Sequence, residues 1–76
     1  MGSGKSTVDV TIRLEKGASA KMDEIVRALE GLGLEEVEPH HRFMIVNGRA
    51  KVGSIDKMKQ VEGVASVRED QIYTAQ

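Results

Sequence analysis

The chain contains no cysteine, a single proline and only two aromatic residues, Phe43 and Tyr73. Without cysteine it has neither a disulfide framework nor a thiolate metal site. Two aromatic side chains do not provide the stacking surface on which single-stranded nucleic acids bind. No apolar run approaches the roughly 20 residues that a membrane-spanning helix needs. We therefore expect neither nucleic acid nor a membrane as a partner.

An excess of charge of either sign is also missing. Eleven basic and twelve acidic side chains give a net charge of −1, whereas binding to phosphates requires a basic face. Seventy-six residues form one small domain that buries only part of its surface, so its stability is expected to be marginal. Binding to a partner would then add stability by mass action.

The first half of the chain predicts a short lead, a strand and a helix. Residues 1–6 are rich in glycine and serine and predict a flexible lead without the apolar stretch of a signal peptide. A strand is predicted by the alternation of apolar Val8, Val10, Ile12 and Leu14 with polar Asp9, Thr11 and Arg13. An amphipathic helix is predicted from Ala20, with Ser19 as its cap and Gly31 and Gly33 at its end, by the spacing of Met22, Ile25, Val26, Leu29 and Leu32.

The second half predicts three strands and a shorter helix. Residues 35–46 form the second strand, and Asn47-Gly48 is typical of a hairpin turn because both residue types tolerate positive φ. Residues 49–52 return as a third strand. A helix capped by Ser54 follows, with Ile55, Met58 and Val61 as its buried positions. A fourth strand covers residues 64–67 and is interrupted by an acidic break at Glu69-Asp70.

This β-α-β-β-α-β order predicts an α+β, ferredoxin-like fold: a four-stranded antiparallel sheet with both helices on one face. The other face is left uncovered. We expect its side chains to include Thr11, Arg13, Arg42, Met44 and Val46. Such a face is either a docking surface or ordinary solvated sheet.

Patterns that would indicate chemistry are incomplete. Residues 2–7 imitate the end of a phosphate-binding loop, but the strand before it and the helix after it are missing. His40 and His41 are adjacent on a predicted strand and would point to opposite faces, away from a shared metal. No nucleophile elbow accompanies the serines. We expect no enzymatic activity, no cofactor and no metal.

The C-terminal third carries a family resemblance. Val64-Ala65-Ser66-Val67-Arg68-Glu69-Asp70-Gln71-Ile72 resembles the end of subtilisin propeptides, an inhibitor family that includes free-standing fungal protease inhibitors. Val61-Glu62-Gly63-Val64 looks like the family's helix-to-strand turn, and Asn47-Gly48 looks like its hairpin. The resemblance covers residues 8–76 as an order of elements and is specific at residue level over residues 61–72.

The resemblance implies a two-part contact with a subtilisin-like serine protease, and with it a monomeric inhibitor that also aids the protease's folding. The open sheet face would pack on two surface helices of the protease, and Glu69 and Asp70 would cap their N-termini. Arg68 stands where the family often has a further acid. The tail, Tyr73, Thr74, Ala75 and Gln76, would lie in the substrate cleft, with Tyr73 as an apolar anchor and Gln76 in the primary pocket.

On this interpretation the chain divides into a lead (1–6), an inhibitor domain (7–72) and a cleft-binding tail (73–76). A propeptide would be secreted or extracellular, with its signal outside these residues. The main alternative is a ferredoxin-like regulatory or ligand-binding module that dimerises. A metal carrier of this topology would need a cysteine pair, and an RNA-binding sheet would need exposed aromatics and a basic face.

Overall fold

A computed structural model describes residues 7–70. The strands are β1 (Thr7–Leu14), β2 (Glu35–His40), β3 (Ile45–Lys51) and β4 (Val64–Asp70). The helices are α1 (Met22–Gly31) and α2 (Ile55–Lys59), each preceded by a short 3₁₀ segment, Lys16–Lys21 and Val52–Ser54 respectively.

The four strands form one antiparallel sheet in the order β2-β3-β1-β4. This order and the two helices confirm the predicted α+β architecture with ferredoxin-like connectivity. The central strand β1 pairs with β3 on one side and with β4 on the other, so β2 and β4 are the outer strands. The register aligns Thr11 with Asn47 of β3 and with Arg68 of β4.

The core lies between one face of the sheet and the helices. The predicted alternation of β1 is confirmed, because its buried residues are every second one: Val10, Ile12 and Leu14. The helices contribute Met22, Ile25 and Leu29 from α1 and Ile55 and Met58 from α2, all within one cluster. Both helices therefore cover the same face, and the opposite face is left open.

Helix α1 starts later than predicted. Ser19 lies within the 3₁₀ segment, and Lys21 precedes the helix without a side-chain capping bond, so the prediction of a Ser19 cap is wrong. Asp23 and Glu24 in the first turn favourably meet the positive end of the helix dipole. The helix ends as predicted at a glycine pair, and Gly33 has a φ of 110°, which only glycine adopts without strain.

The sequence predicts a hairpin turn at Asn47-Gly48, and this prediction is wrong, because both residues lie within β3. The hairpin between β2 and β3 turns at residues 41–44, since His40 pairs with Ile45, and the N–H of Phe43 donates to the carbonyl of His40 at 3.1 Å. Met44 supplies the left-handed conformation, with a φ of 56°. The predicted second strand of residues 35–46 is therefore β2, a turn and the start of β3. Of the predicted third strand, residues 49–51 are the end of β3, and Val52 begins the 3₁₀ segment before α2.

Gly48 lies inside β3 because another part of the chain comes very close to it. An added Cβ would be 2.8 Å from the Cδ1 of Leu34 and 2.9 Å from the carbonyl oxygen of Glu35. A glycine within a strand often marks such a close approach. The same Asn-Gly pair that is typical of a turn is thus explained here by packing against the segment leading into β2.

Strand β4 is longer than predicted and continues through Glu69 and Asp70, which do not form a break. The chain enters it from α2 through Gly63, whose φ is 96°. An added Cβ there would be 2.6 Å from the Cδ1 of Ile25. Ser54 precedes α2 as predicted, but its side chain makes no capping hydrogen bond.

Candidate functional site

The open face of the sheet differs in part from its predicted composition. Thr11 and Arg13 lie on it as predicted, because they alternate with the buried residues of β1. Val46 does not, since it is fully buried in the core, and Arg42 and Met44 lie in the turn. Their places on β3 are taken by the residues that alternate with Val46: Ile45, Asn47 and Arg49.

Two polar contacts join β1 to β3 across this open face. The Nδ2 of Asn47 donates a hydrogen bond to the Oγ1 of Thr11 at 3.0 Å. The Nε of Arg49 lies 3.4 Å from the Oδ1 of Asp9, and both side chains are about half exposed, 46% and 55%. Exposed ion pairs of this kind contribute at most about 1 kcal/mol. These contacts fix side-chain positions more than they stabilise the fold.

A groove of about 440 Å³ crosses the open face towards β4. Five residues from three strands line it: Thr11, Arg13, Ile45, Ser66 and Arg68. The β1–β4 register aligns Arg13 with Ser66 and Thr11 with Arg68. The groove therefore combines two guanidinium groups, two hydroxyl groups and one aliphatic wall. This composition favours negatively charged, hydrogen-bond-accepting groups.

The acidic pair predicted to cap partner helices lies at the end of β4. Glu69 is exposed and its Cα is aligned with Val10, while Asp70 is aligned with Asp9 at the start of β1. The strand is an outer one, so the pair stands at a corner of the sheet. Residues aligned across an antiparallel pair share a face, so Glu69 lies on the helix side of the sheet with Val10 and not on the open face. The predicted tail residues Tyr73, Thr74, Ala75 and Gln76 lie outside the described residues. Residues 2–6, whose sequence imitates the end of a phosphate-binding loop, lie outside them as well.

The β2–β3 turn exposes one large apolar side chain. Phe43 is 66% exposed, so it does not belong to the core. His40 ends β2 and His41 begins the turn, and the Nε2 of His40 lies 4.0 Å from the Oε1 of Glu38. Within residues 7–70 no three histidine or acidic side chains are grouped closely enough to hold a metal ion.

Comparison with known proteins gives no relative. No family model matches the chain, and neither a curated protein nor a solved structure matches it. Among residues 7–70, neither helix has the length and apolar character to cross a membrane. We therefore infer the function from the surface of the sheet and from the resemblance of the C-terminal residues.

The groove was missed by sequence reasoning, although part of its signal was present. Arg68 and Ser66 alternate with the partly buried Val67, which is enough to place both on the same face of β4. What the sequence lacks is the alignment of β4 with β1, because that register is set by tertiary packing. Only the register brings Arg13 and Arg68 together.

Proposed function

We propose that the chain binds and inhibits a subtilisin-like serine protease, with the open sheet face and the end of β4 as one contact and residues 73–76 as the other. The observation that carries this proposal is the position of β4. It is an outer strand that ends in Glu69 and Asp70, so the edge of the sheet is the point from which the proposed tail would extend.

The open face supports the first contact. It presents polar and charged side chains on β1 and β3 with Ile45 among them, while the helices occupy the other side. Interfaces between separately folded proteins are about as polar as the rest of the surface. A partner could therefore dock on this face without any rearrangement of the core.

The tail supports the second contact through the resemblance. An extended segment adds a strand to a protease cleft by backbone pairing, and alternate side chains then provide specificity. Tyr73 would contribute a large contact area at a low cost in conformational entropy. The chain would inhibit by occupying the cleft in the manner of a product while the domain holds the segment in place.

Removing residues 73–76 should weaken inhibition of a subtilisin at least about tenfold, which corresponds to about 1.4 kcal/mol of binding free energy. The reason is that the cleft contact is lost while the sheet contact remains. The measurement is the competitive inhibition constant of the intact and shortened chains with a small chromogenic substrate.

A matched control removes residues 1–6 from the other end of the chain. Its inhibition constant should stay within about twofold of that of the intact chain, well below the roughly tenfold change expected when the tail is removed. A folded, digestion-resistant chain that inhibits no subtilisin would overturn the proposal. Dimerisation seen by sedimentation would then favour a ferredoxin-like regulatory module instead.

Replacing Asp70 by alanine should weaken inhibition about 2- to 30-fold, because the loss of a side chain that caps a helix N-terminus costs about 0.5–2 kcal/mol. The loss should shrink at high salt, since screening reduces the part that comes from the carboxylate charge and the helix dipole. Glu69→Ala tests the second predicted cap in the same assay. Glu62→Ala is the control, because this exposed acid lies in the turn before β4. An unchanged constant for both Asp70→Ala and Glu69→Ala would contradict helix capping.

A further inference from the structure

Among residues 7–70, two arginines in the groove on the open face take part in no ion pair with an acidic side chain. Among residues 7–70, the ion pairs are Arg49 with Asp9, Lys59 with Asp56 and the longer His40–Glu38 contact. Arg13 and Arg68 take part in none of them. Both side chains are exposed, so their charges are available to a partner.

The register brings these two charges to the same place. Arg68 is aligned with Thr11, two residues from Arg13 along β1. Such diagonal neighbours on one face of an antiparallel sheet lie about 7–8 Å apart at the backbone, within reach of long side chains. Two guanidinium groups can therefore converge on one acidic group. The hydroxyl of Ser66, aligned with Arg13, offers a further hydrogen bond.

We propose that Arg13 and Arg68 receive a carboxylate side chain from the surface of the partner protein. Guanidinium forks match carboxylates with paired, charge-assisted hydrogen bonds and are common anchors in interfaces. In naming the partner as a protease the inference rests on the proposed function. The partner protease would then carry an aspartate or glutamate side chain on its docking surface, opposite this groove.

The rest of the open face argues against an extended polyanion. Asp9 lies on the same face, and Glu36 and Glu38 line a neighbouring hollow with it. A nucleic acid strand crossing the sheet would meet these carboxylates after leaving the arginines. A single acidic side chain on a folded protein avoids this repulsion, because it needs only the space between the two guanidinium groups.

The first test is charge reversal. The double variant Arg13→Glu/Arg68→Glu should raise the inhibition constant about 100-fold at low salt, with a smaller effect at high salt. Arg27→Glu/Lys57→Glu is the matched control, because it makes the same change in net charge on the exposed sides of α1 and α2. Equal inhibition by the two double variants would overturn the proposal and leave the inhibitor function standing.

The second test needs no protease. A peptide with blocked ends and a single glutamate among glycines is titrated into the intact chain while backbone amide shifts are recorded by NMR, because one carboxylate avoids the repulsion that Asp9, Glu36 and Glu38 would exert on a polyanion. We expect shifts at Thr11, Arg13, Ser66 and Arg68 that disappear in Arg13→Glu/Arg68→Glu and persist in the helix-side control. Absence of shifts at the groove, or shifts centred on Lys57 and Lys59, would overturn the proposal even if inhibition is observed.

Two further readouts keep the test decisive. Urea unfolding of each variant confirms that it is folded, and Arg13→Gln/Arg68→Gln should lose roughly half as much binding free energy as the charge reversal, since it removes attraction without adding repulsion. Sedimentation of the intact chain shows whether it self-associates. A dimer abolished by the charge reversal would overturn the proposal by making a second copy the source of the acid.

Discussion

Alanine in place of Gly48 should lower the free energy of unfolding by about 2–3 kcal/mol, the cost expected of overpacking a tight site. The new Cβ would meet the side chain of Leu34 at 2.8 Å and the carbonyl oxygen of Glu35 at 2.9 Å. Leu34 is itself buried, and the carbonyl belongs to the backbone, so neither can move aside easily. Urea unfolding measured by circular dichroism gives the change.

Gly53→Ala is the control for this prediction. It makes the same chemical change at a glycine whose added Cβ meets nothing within 4 Å, so the free energy of unfolding should stay within about 0.5 kcal/mol, as for other surface changes. If Gly48→Ala cost no more unfolding free energy than Gly53→Ala, this result would contradict the close contact between Gly48 and the chain at Leu34 and Glu35. The packing at the centre of the sheet would then need another explanation.

Gly48 also shows where sequence reasoning stops. The alternation in β1 and the helical spacing from Met22 to Leu29 are local patterns of burial, and the structure confirms both. Asn47-Gly48 is a local signal as well, but it has two physical explanations: freedom of φ in a turn, or absence of a side chain at a contact. Only the packing of Leu34 decides between them, and Leu34 is distant in sequence.

The same limit applies to the open face. A turn at residues 47–48 makes residues 35–46 one continuous strand, and this alternation places Val46 on the open face, whereas the structure buries it in the core. With the turn at residues 41–44, the pairing of Ile45 with His40 determines which alternate residues of β3 face the core and which face the open side. Residues on β1 needed no such correction, because their alternation is independent of the turn. The groove required both registers of β1, and neither can be deduced from local patterns.

Replacing Leu29 by alanine should lower the free energy of unfolding by about 3–5 kcal/mol, the upper part of the range for large-to-small changes at fully buried sites. Leu29 is completely buried in the middle of the core cluster. Its carbonyl also accepts hydrogen bonds from the N–H groups of Leu32 and Leu34 at 3.0 Å, so the end of α1 depends on its position. A domain of this size has about 4–11 kcal/mol in total, so this one change removes a large share.

Leu32→Ala is the control, because it removes the same atoms from a partly buried leucine just after the same helix. We expect a loss of about 1 kcal/mol, in proportion to the smaller apolar area that Leu32 takes out of water. Equal losses for the two variants would contradict the central position of Leu29. Thermal and urea unfolding of both variants, under identical conditions, measure the difference.

Leu29→Ala also separates stability from binding. Leu29 lies on the helix side of the sheet, away from the proposed contact, so the folded variant should bind the protease as tightly as the intact chain. Its apparent inhibition constant should therefore rise only by the reciprocal of its folded fraction. A saturating, catalytically inactive subtilisin should restore part of the lost stability, about 2.7 kcal/mol at 100 times the dissociation constant. If the apparent inhibition constant rises by more than the reciprocal of the folded fraction, part of the contact with the protease lies on the helix side of the sheet instead of the open face.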